Sequence, residues 1–325
     1  MVGNAEPYTV DNWANDIALA SSKGLEGFIL NLGSDSWQPD KVADAFTAAK
    51  SAGSDFRISF SFDMTKYITT YSGHPNVLQF AGKMLVSTFS GEKCTFGQGS
   101  VDAGWASTVK MGVPPVHFVP AFFVDPATLG IYHSADGAFN WNGGWPQSPV
   151  KTSFDTDMTY ISALGRKTYL GVLFSTVRWE VLIQNRQQVP IVEVITWNDY
   201  GESHYVGPIE GAQPNSQAWV NGFDHQDPCP IPLRYPDWAS DTLWAQFHLT
   251  QPADLTLTCG SSSQTFSGVP AAVSKQKLPL TEDYNIAAKI TRDGSDAVTF
   301  EPAEMTFSTK PLSYNFNAFV AASPA

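Results

Sequence analysis

Short apolar runs alternate with amphipathic stretches over the first 200 residues, and this alternation constrains the fold more than any other feature of the chain. Residues 9–23 set Val10, Trp13, Ile17 and Ala20 on one helical face, with Thr9 placed to cap the start and Gly24 to stop the end. Pro39 opens a second helix over 39–52, with Val42, Ala43, Phe46 and Ala49 on one side. Further helices fit 101–111, 156–165 and 177–188. Between them lie strand signals at 25–31, 56–63, 83–89, 116–125, 137–142, 167–174 and 190–199, and residues 1–4 read as the last part of another strand. Strands that are apolar throughout and alternate with helices form a parallel sheet covered on its faces by helices. Eight such signals match a closed (β/α)8 barrel. The competing arrangement, an open doubly wound sheet, normally brings a Gly-rich phosphate turn after its first strand, and Asn4-Ala5-Glu6-Pro7 is not one.

The pattern changes after about residue 225. A Pro-rich connector over 226–240 contains Asp227-Pro228-Cys229-Pro230-Ile231-Pro232. Beyond it come short alternating segments at 242–249, 253–259, 263–267, 272–279, 286–292, 297–300 and 314–319, with turn signals such as Asp293-Gly294. These read as a small β-sandwich. The expected organisation is therefore a barrel over 1–225, a linker over 226–240 and a β-sandwich over 241–325. The last of these holds no cluster of His, Asp and Glu that looks catalytic.

Composition removes several classes of function. A hydrophobic fraction of 43% against 15% charged residues supports a large core and excludes a disordered chain. A net charge of -12 lacks the basic footprint of a nucleic-acid binder. No apolar run is long enough for a membrane-spanning helix. Residues 1–20 carry Glu6, Asp11 and Asp16 and no apolar core of a signal peptide, and no Asn-x-Ser/Thr acceptor occurs. Cys94, Cys229 and Cys259 have no metal-site spacing and allow at most one bridge. Aromatic residues reach 13%, a content that suits flat, hydroxyl-rich ligands such as sugars, although a large aromatic core is its commoner cause.

In a barrel, functional groups project from the C-terminal ends of the strands. Each strand signal here ends in polar residues: Asn31, Asp63, Glu92 just past its strand, Asp125, Asn140 with Trp141 and Asn142, and Asp199. The densest segment is Ile195-Thr196-Trp197-Asn198-Asp199-Tyr200-Gly201-Glu202-Ser203-His204-Tyr205. It holds two carboxylates three residues apart, with Gly201 between them to turn the backbone. Glycosidic cleavage needs such a pair: one carboxyl stays protonated to donate to the leaving oxygen, the other stays ionised to activate water or attack carbon. Trp141, Trp197, Tyr200 and Tyr205 offer ring faces to sugars, and Asn31, Asn140, Asn198 and His204 offer hydrogen bonds. The plain alternative is a loop whose acids face water. Asp63 reads as a sugar ligand or a structural rim residue, and Asp125, preceding Pro126, as a sugar ligand or a turn cap. His204 has no second His or Cys nearby, so no metal site is expected; His117 begins a strand and belongs to the barrel bottom or core. Ser87, Ser90 and Ser203 lie in no G-x-S-x-G elbow.

The segments MVGNAEPYTVDNWANDIALA, LNLGSDSWQPDKVADAF, ISFSFDM, VSTFSGEKCTFGQGS, FVPAFFVDP, DGAFNWNGGWP and, above all, VEVITWNDYGESHYVGPIEGAQPNSQAWVNGFDH resemble the fungal α-1,3-glucanases called mutanases, glycoside hydrolase family 71. The resemblance covers nearly the whole chain and implies a (β/α)8 barrel with a C-terminal β domain. It implies endo-hydrolysis of α-1,3-glucan with inversion, with no metal or cofactor, by a secreted or cell-wall protein. The family's catalytic acids fall on Asp199 and Glu202. Glu202, in the turn and nearer apolar and aromatic neighbours, reads as the acid and Asp199, at the strand end, as the base; burial decides the division, and the reverse stays open. The expected partner is the polysaccharide alone, met by a monomer, with no nucleic acid and no membrane. The sequence departs from the family pattern in four places: a first strand without its beginning, a short stretch from Asp63 to His74 that stunts the third helix, a near-direct passage from Phe174 to Val177, and the segment from His225 to Asp237. These departures imply weakened activity and stability, and they leave open an inert glucan-binding protein or an unstable product.

Overall fold

Thr9 and Asn12 open the first helix with a reciprocal cap. The Thr9 N–H donates to the Asn12 side-chain oxygen at 2.9 Å, and the Asn12 N–H donates to Thr9 Oγ1 at 3.3 Å. The helix, α1 (Val10–Ser22), buries Trp13, Ile17 and Ala20, and Gly24 follows at φ +83°, a conformation that glycine adopts without strain. The computed structural model of the protein describes residues 1–61, 64–144, 153–173, 176–199, 205–208, 242–280, 284–302 and 306–307. The chain divides into two compact units, Met1–Val220 and Asn221–Ala325.

In the first unit, strands and helices alternate: β1 (Gly27–Asn31), α2 (Gln38–Ser51), β2 (Arg57–Ser61), α3 (Met64–Tyr71), β3 (Gln79–Phe80), β4 (Lys83–Phe89), α4 (Val101–Val109), β5 (Val116–Ala121), β6 (Gly137–Phe139), α5 (Asp155–Leu164), β7 (Thr168–Leu173), α6 (Thr176–Gln184) and β8 (Ile191–Val194). Strands β1, β2, β4 and β5 pair in parallel in that order, with β3 antiparallel on β4; β6, β7 and β8 form a second parallel set. Asp136 ties the two sets together. It exchanges backbone and side-chain bonds with Phe118 of β5, both at 2.8 Å, and its carbonyl accepts the Thr168 N–H of β7 at 3.0 Å. Burial pushes its carboxyl up, but the Lys110 ammonium and the Phe118 N–H outweigh this and hold it below the usual range.

Strands β2, β4, β5, β6 and β7 are buried on both faces, which is why they read as continuous apolar runs, while β1 and β8 are partly buried. Along β4, Met84 and Val86 join the large cluster that packs against the helices, while Leu85 joins a smaller inner cluster with Val119, Ala121, Phe139, Leu170, Val172 and Ile195. Each fully buried side chain such as Phe60 or Phe118 contributes about 1.5–3 kcal/mol. One fully buried ion pair crosses the outer layer. Arg178 Nη1 donates to Asp157 Oδ2 at 2.7 Å, Arg178 Nε donates to the Val172 carbonyl, and the Tyr169 hydroxyl donates to Asp157.

Four expectations need correction. Residues 1–4 are not a strand stub. Val2–Asn4 form a 3-10 turn whose Val2 carbonyl accepts the Ala5 N–H at 2.8 Å, so this backbone offers no ladder to a neighbour. Seven parallel strands, not eight, are present among the described residues, and β8 and β1 are not paired there. The strand expected over 116–125 stops at Ala121, where the carbonyl accepts the Ser90 N–H and residues 122–124 turn. The last strand likewise ends at Val194 rather than at Asp199. The stunted third helix is the eight-residue α3.

The second unit is antiparallel. Strands β10 (Ala253–Cys259), β11 (Ser262–Val269), β13 (Tyr284–Arg292) and β14 (Ser295–Phe300) are ordered β11-β10-β13-β14, and β15 (Thr306–Phe307) pairs with β13. Strand β9 (Thr242–His248) pairs with β12 (Val273–Pro279). Alternate residues of β10 are buried, placing Leu255, Leu257 and Cys259 in a core with Phe247, Leu278 and Ile286. Asp293 at φ +50° and Gly294 at φ +74° join β13 to β14, the left-handed pair that a two-residue hairpin needs. These antiparallel sheets fit a β-sandwich. The Pro-rich connector, Cys229 and the strand expected over 314–319 lie outside the described residues. Cys94 is a half-buried free thiol, and Cys259 is buried.

Candidate active site

The site is built at the end of β8. Past Val194 the chain leaves the sheet and folds back on itself: the Val206 N–H donates to the Thr196 carbonyl at 2.9 Å, and the Gly207 N–H donates to the Trp197 carbonyl at 2.8 Å. Gly207 is required for this approach, since a Cβ there would lie 2.6 Å from the Trp197 ring. These two bonds bring Val206 and Gly207 back against Thr196 and Trp197, just past the end of β8. Beside them the Asp199 N–H donates to Thr196 Oγ1 at 2.8 Å, which fixes the backbone of a half-buried carboxylate. Glu202, Tyr200, His204 and Asp63 lie outside the described residues. Tyr205, just before Val206, is half-buried.

Two residues expected from the sequence to be sugar ligands also bond within the protein. The Trp197 indole N–H donates to Asp16 Oδ2 at 2.9 Å, and its ring lies 5.1 Å from that of Phe28. Asn198 is only 4% exposed; its side-chain oxygen accepts from the Met1 amine at 2.8 Å, its Nδ2 donates to the Met1 carbonyl at 3.0 Å, and its carbonyl accepts Asn4 Nδ2 at 2.7 Å. Asp125 caps the 3-10 turn Pro126–Ile131, its carboxylate accepting the Ala127 N–H at 3.0 Å. Asn140 is buried, and its carbonyl accepts the Gly143 N–H. His117, buried at the start of β5, meets Thr168 Oγ1 at 2.9 Å.

A cavity of about 930 Å³ reaches the loop. Asn31, Ser61, Trp141, Glu193 and Thr196 are among its lining residues. Glu193 is an acid that sequence reasoning did not single out. It lies two residues from Ile191 and Ile195, both of which pack in the inner cluster, so it shares their face of β8. Its Oε2 is shut off from solvent and has no hydrogen-bond partner, and burial pushes the carboxyl up to about 7. The one sequence signal for it is a charged residue inside an otherwise apolar strand. Among the described residues, no cluster of His, Cys, Asp and Glu could hold a metal ion, and no helix is long and apolar enough to cross a membrane.

The chain matches the model of glycosyl hydrolase family 71 over residues 1–228. It is 34% identical to a glucan endo-1,3-alpha-glucosidase of Schizosaccharomyces pombe, over 98% of this chain and 92% of that protein. It is 27% identical to a mutanase of Penicillium rubens, over 98% of this chain and 86% of that protein. An ascus wall endo-1,3-alpha-glucanase of Schizosaccharomyces pombe is 29% identical over 89% of this chain and 76% of that protein.

Proposed function

The chain belongs to glycosyl hydrolase family 71, and from that premise we propose that it cleaves the α-1,3-glucosidic bonds of α-1,3-glucan within the polymer, with inversion, using Asp199 and Glu202. One observation supports this choice of acids: Asp199 follows the C-terminal end of β8 and its N–H is held by Thr196 Oγ1, while Glu202 is its near neighbour in sequence. That end of a parallel strand is where barrel enzymes place their chemistry. Asp199 acts as the base, drawing a proton from a water on the face of the sugar opposite the leaving group. Glu202 acts as the acid, protonating the glucosidic oxygen as the bond breaks. An inverting pair needs carboxyls roughly 6.5–9.5 Å apart, so that one water fits between them.

The strand set reads as a closed barrel of about 220 residues, followed by a linker and the β-sandwich unit. This reading is supported by the parallel order within each strand set and by Asp136 joining β5 to β7; past β8, the Trp197 ring meets Phe28 of β1. The protein works outside the cell or in the cell wall as a monomer, with glucan as its partner and without a cofactor. The relative named for the ascus wall supports the location.

Incubation with insoluble α-1,3-glucan, and with α-1,4- and β-1,3-glucans as controls, tests this function. Soluble oligosaccharides are expected from the first polymer only, with the β-anomer appearing first in proton NMR of fresh product. No release from α-1,3-glucan would overturn the substrate assignment, and a first α-anomer would overturn inversion.

A further inference from the structure

Three aromatic residues stand at the C-terminal ends of three successive strands. Phe89 is the last residue of β4, Phe123 lies two residues past β5, and Trp141 lies two past β6. Their rings form one chain: Phe89 lies 5.3 Å from Phe123 at 77° and 4.7 Å from Trp141 at 68°. Trp141 continues inward to buried Phe139, at 6.1 Å. Yet Phe89 is 36% exposed and Phe123 is 41% exposed. Single exposed apolar residues are ordinary, but three linked rings on one rim are a contiguous patch of the sort that marks a binding surface.

The backbone beneath the patch is held in place. Ser90 takes φ +66° and Gly91 takes φ +103°, so the turn out of β4 uses two left-handed residues, one of them not glycine. A Cβ on Gly91 would lie 2.6 Å from the Trp105 ring, which fixes the turn against α4. Glu92 then reaches across. Its Oε2 accepts the Ser90 hydroxyl at 3.0 Å and the Phe123 N–H at 3.4 Å, bridging the β4 and β5 loops. The result is a row of rings with a carboxylate beside it, and Trp141 also lines the cavity that reaches Glu193 and Thr196.

We propose that Phe123, Phe89 and Trp141 form a stacking platform for a glucan chain entering the site, with Glu92 beside it to accept hydroxyl hydrogen bonds. A glucose ring has a C–H face that suits an aromatic ring and an equatorial rim of hydroxyls that suits a carboxylate. Glu92 disfavours an anionic ligand, and an aliphatic one would have no use for it. The platform rests on the α-1,3-glucan reading and adds a specific subsite to it.

Phe123 is the residue to change, because it is the most exposed of the three and, among the described residues, its ring meets only Phe89. The full chain and its Phe123→Ala, Phe123→Leu and Phe123→Trp variants are compared for retention on insoluble α-1,3-glucan and for KM and kcat on the same polymer. Phe123→Ala and Phe123→Leu are expected to lower retention and raise KM roughly tenfold, leaving kcat and the melting temperature unchanged, because both lack a flat face. Phe123→Trp is expected to keep parental retention. If the wild type cleaves the glucan and Phe123→Leu matches it, the platform is wrong while the substrate assignment stands. If the wild type neither binds nor cleaves the glucan, the substrate assignment fails and the platform with it.

Discussion

The indole N–H of Trp197 donates to Asp16 Oδ2 at 2.9 Å, joining the loop after β8 to the first helix across 181 positions of sequence. Asp16 is 1% exposed and also accepts the Tyr8 hydroxyl at 2.9 Å. One buried carboxylate therefore holds two donors, and through Trp197 it fixes the segment that leads to Asp199. Replacing Asp16 by Ala strands both donors in an apolar layer, at a cost of about 2–4 kcal/mol. Asp16→Asn keeps an acceptor and is expected to lose less. Chemical denaturation of both variants checks the order; equal losses would show that the hydrogen bonds contribute nothing beyond packing.

The Arg178–Asp157 pair makes a second case. Both side chains are fully buried, and Tyr169 donates to the same carboxylate. Arg178→Met alone leaves a buried charge uncompensated and is expected to cost about 3–5 kcal/mol. The triple change Arg178→Met, Asp157→Leu and Tyr169→Phe removes all three polar side chains at once, leaving only the Val172 and Ser153 carbonyls without the Arg178 donor, and is expected to recover part of that loss. A triple variant no more stable than the single one would contradict this account.

Glu193 sets a pH dependence with a definite sign. Its carboxyl is raised from 4.5 to about 7 by burial, so the folded protein favours the protonated form. As pH rises above 4.5 the unfolded chain ionises first, and stability falls until the folded group ionises near 7. The loss across that window is on the order of 1–3 kcal/mol. Glu193→Gln cannot ionise, so its melting temperature should gain on the wild type between pH 4.5 and 7 and hold that gain above 7. A constant difference from pH 4.5 to 8 would show that Glu193 titrates normally.

Much of the fold was legible because most of the parallel strands are buried on both faces. The pattern marked β4 and β10 with their observed ends, and the Thr9 cap located α1. It failed at the rim for a physical reason. Phe122, Phe123 and Val124 continue the apolar run of β5, but their backbone has already turned away, and apolar side chains at a rim read the same as those in a sheet. Residues 1–4 were misread because a few residues carry too little pattern to separate a strand end from a 3-10 turn. The density of polar residues singled out the segment after β8. What Trp197 and Asn198 bind was not, because their partners Asp16, Met1 and Asn4 lie far away in sequence. The ring row of Phe89 and Phe123 was missed for a related reason: three separate loops contribute to it.

The central claim is that Asp199 activates the water in α-1,3-glucan hydrolysis. It is tested most directly by the release of reducing ends from insoluble α-1,3-glucan by the wild type and by Asp199→Asn. The amide keeps the Thr196 bond to the backbone N–H, so an unchanged melting temperature is expected. Turnover should fall by roughly 10²–10⁴, the contribution expected of a positioned base. An Asp199→Asn protein that cleaves the polymer at near the parental rate would contradict the account.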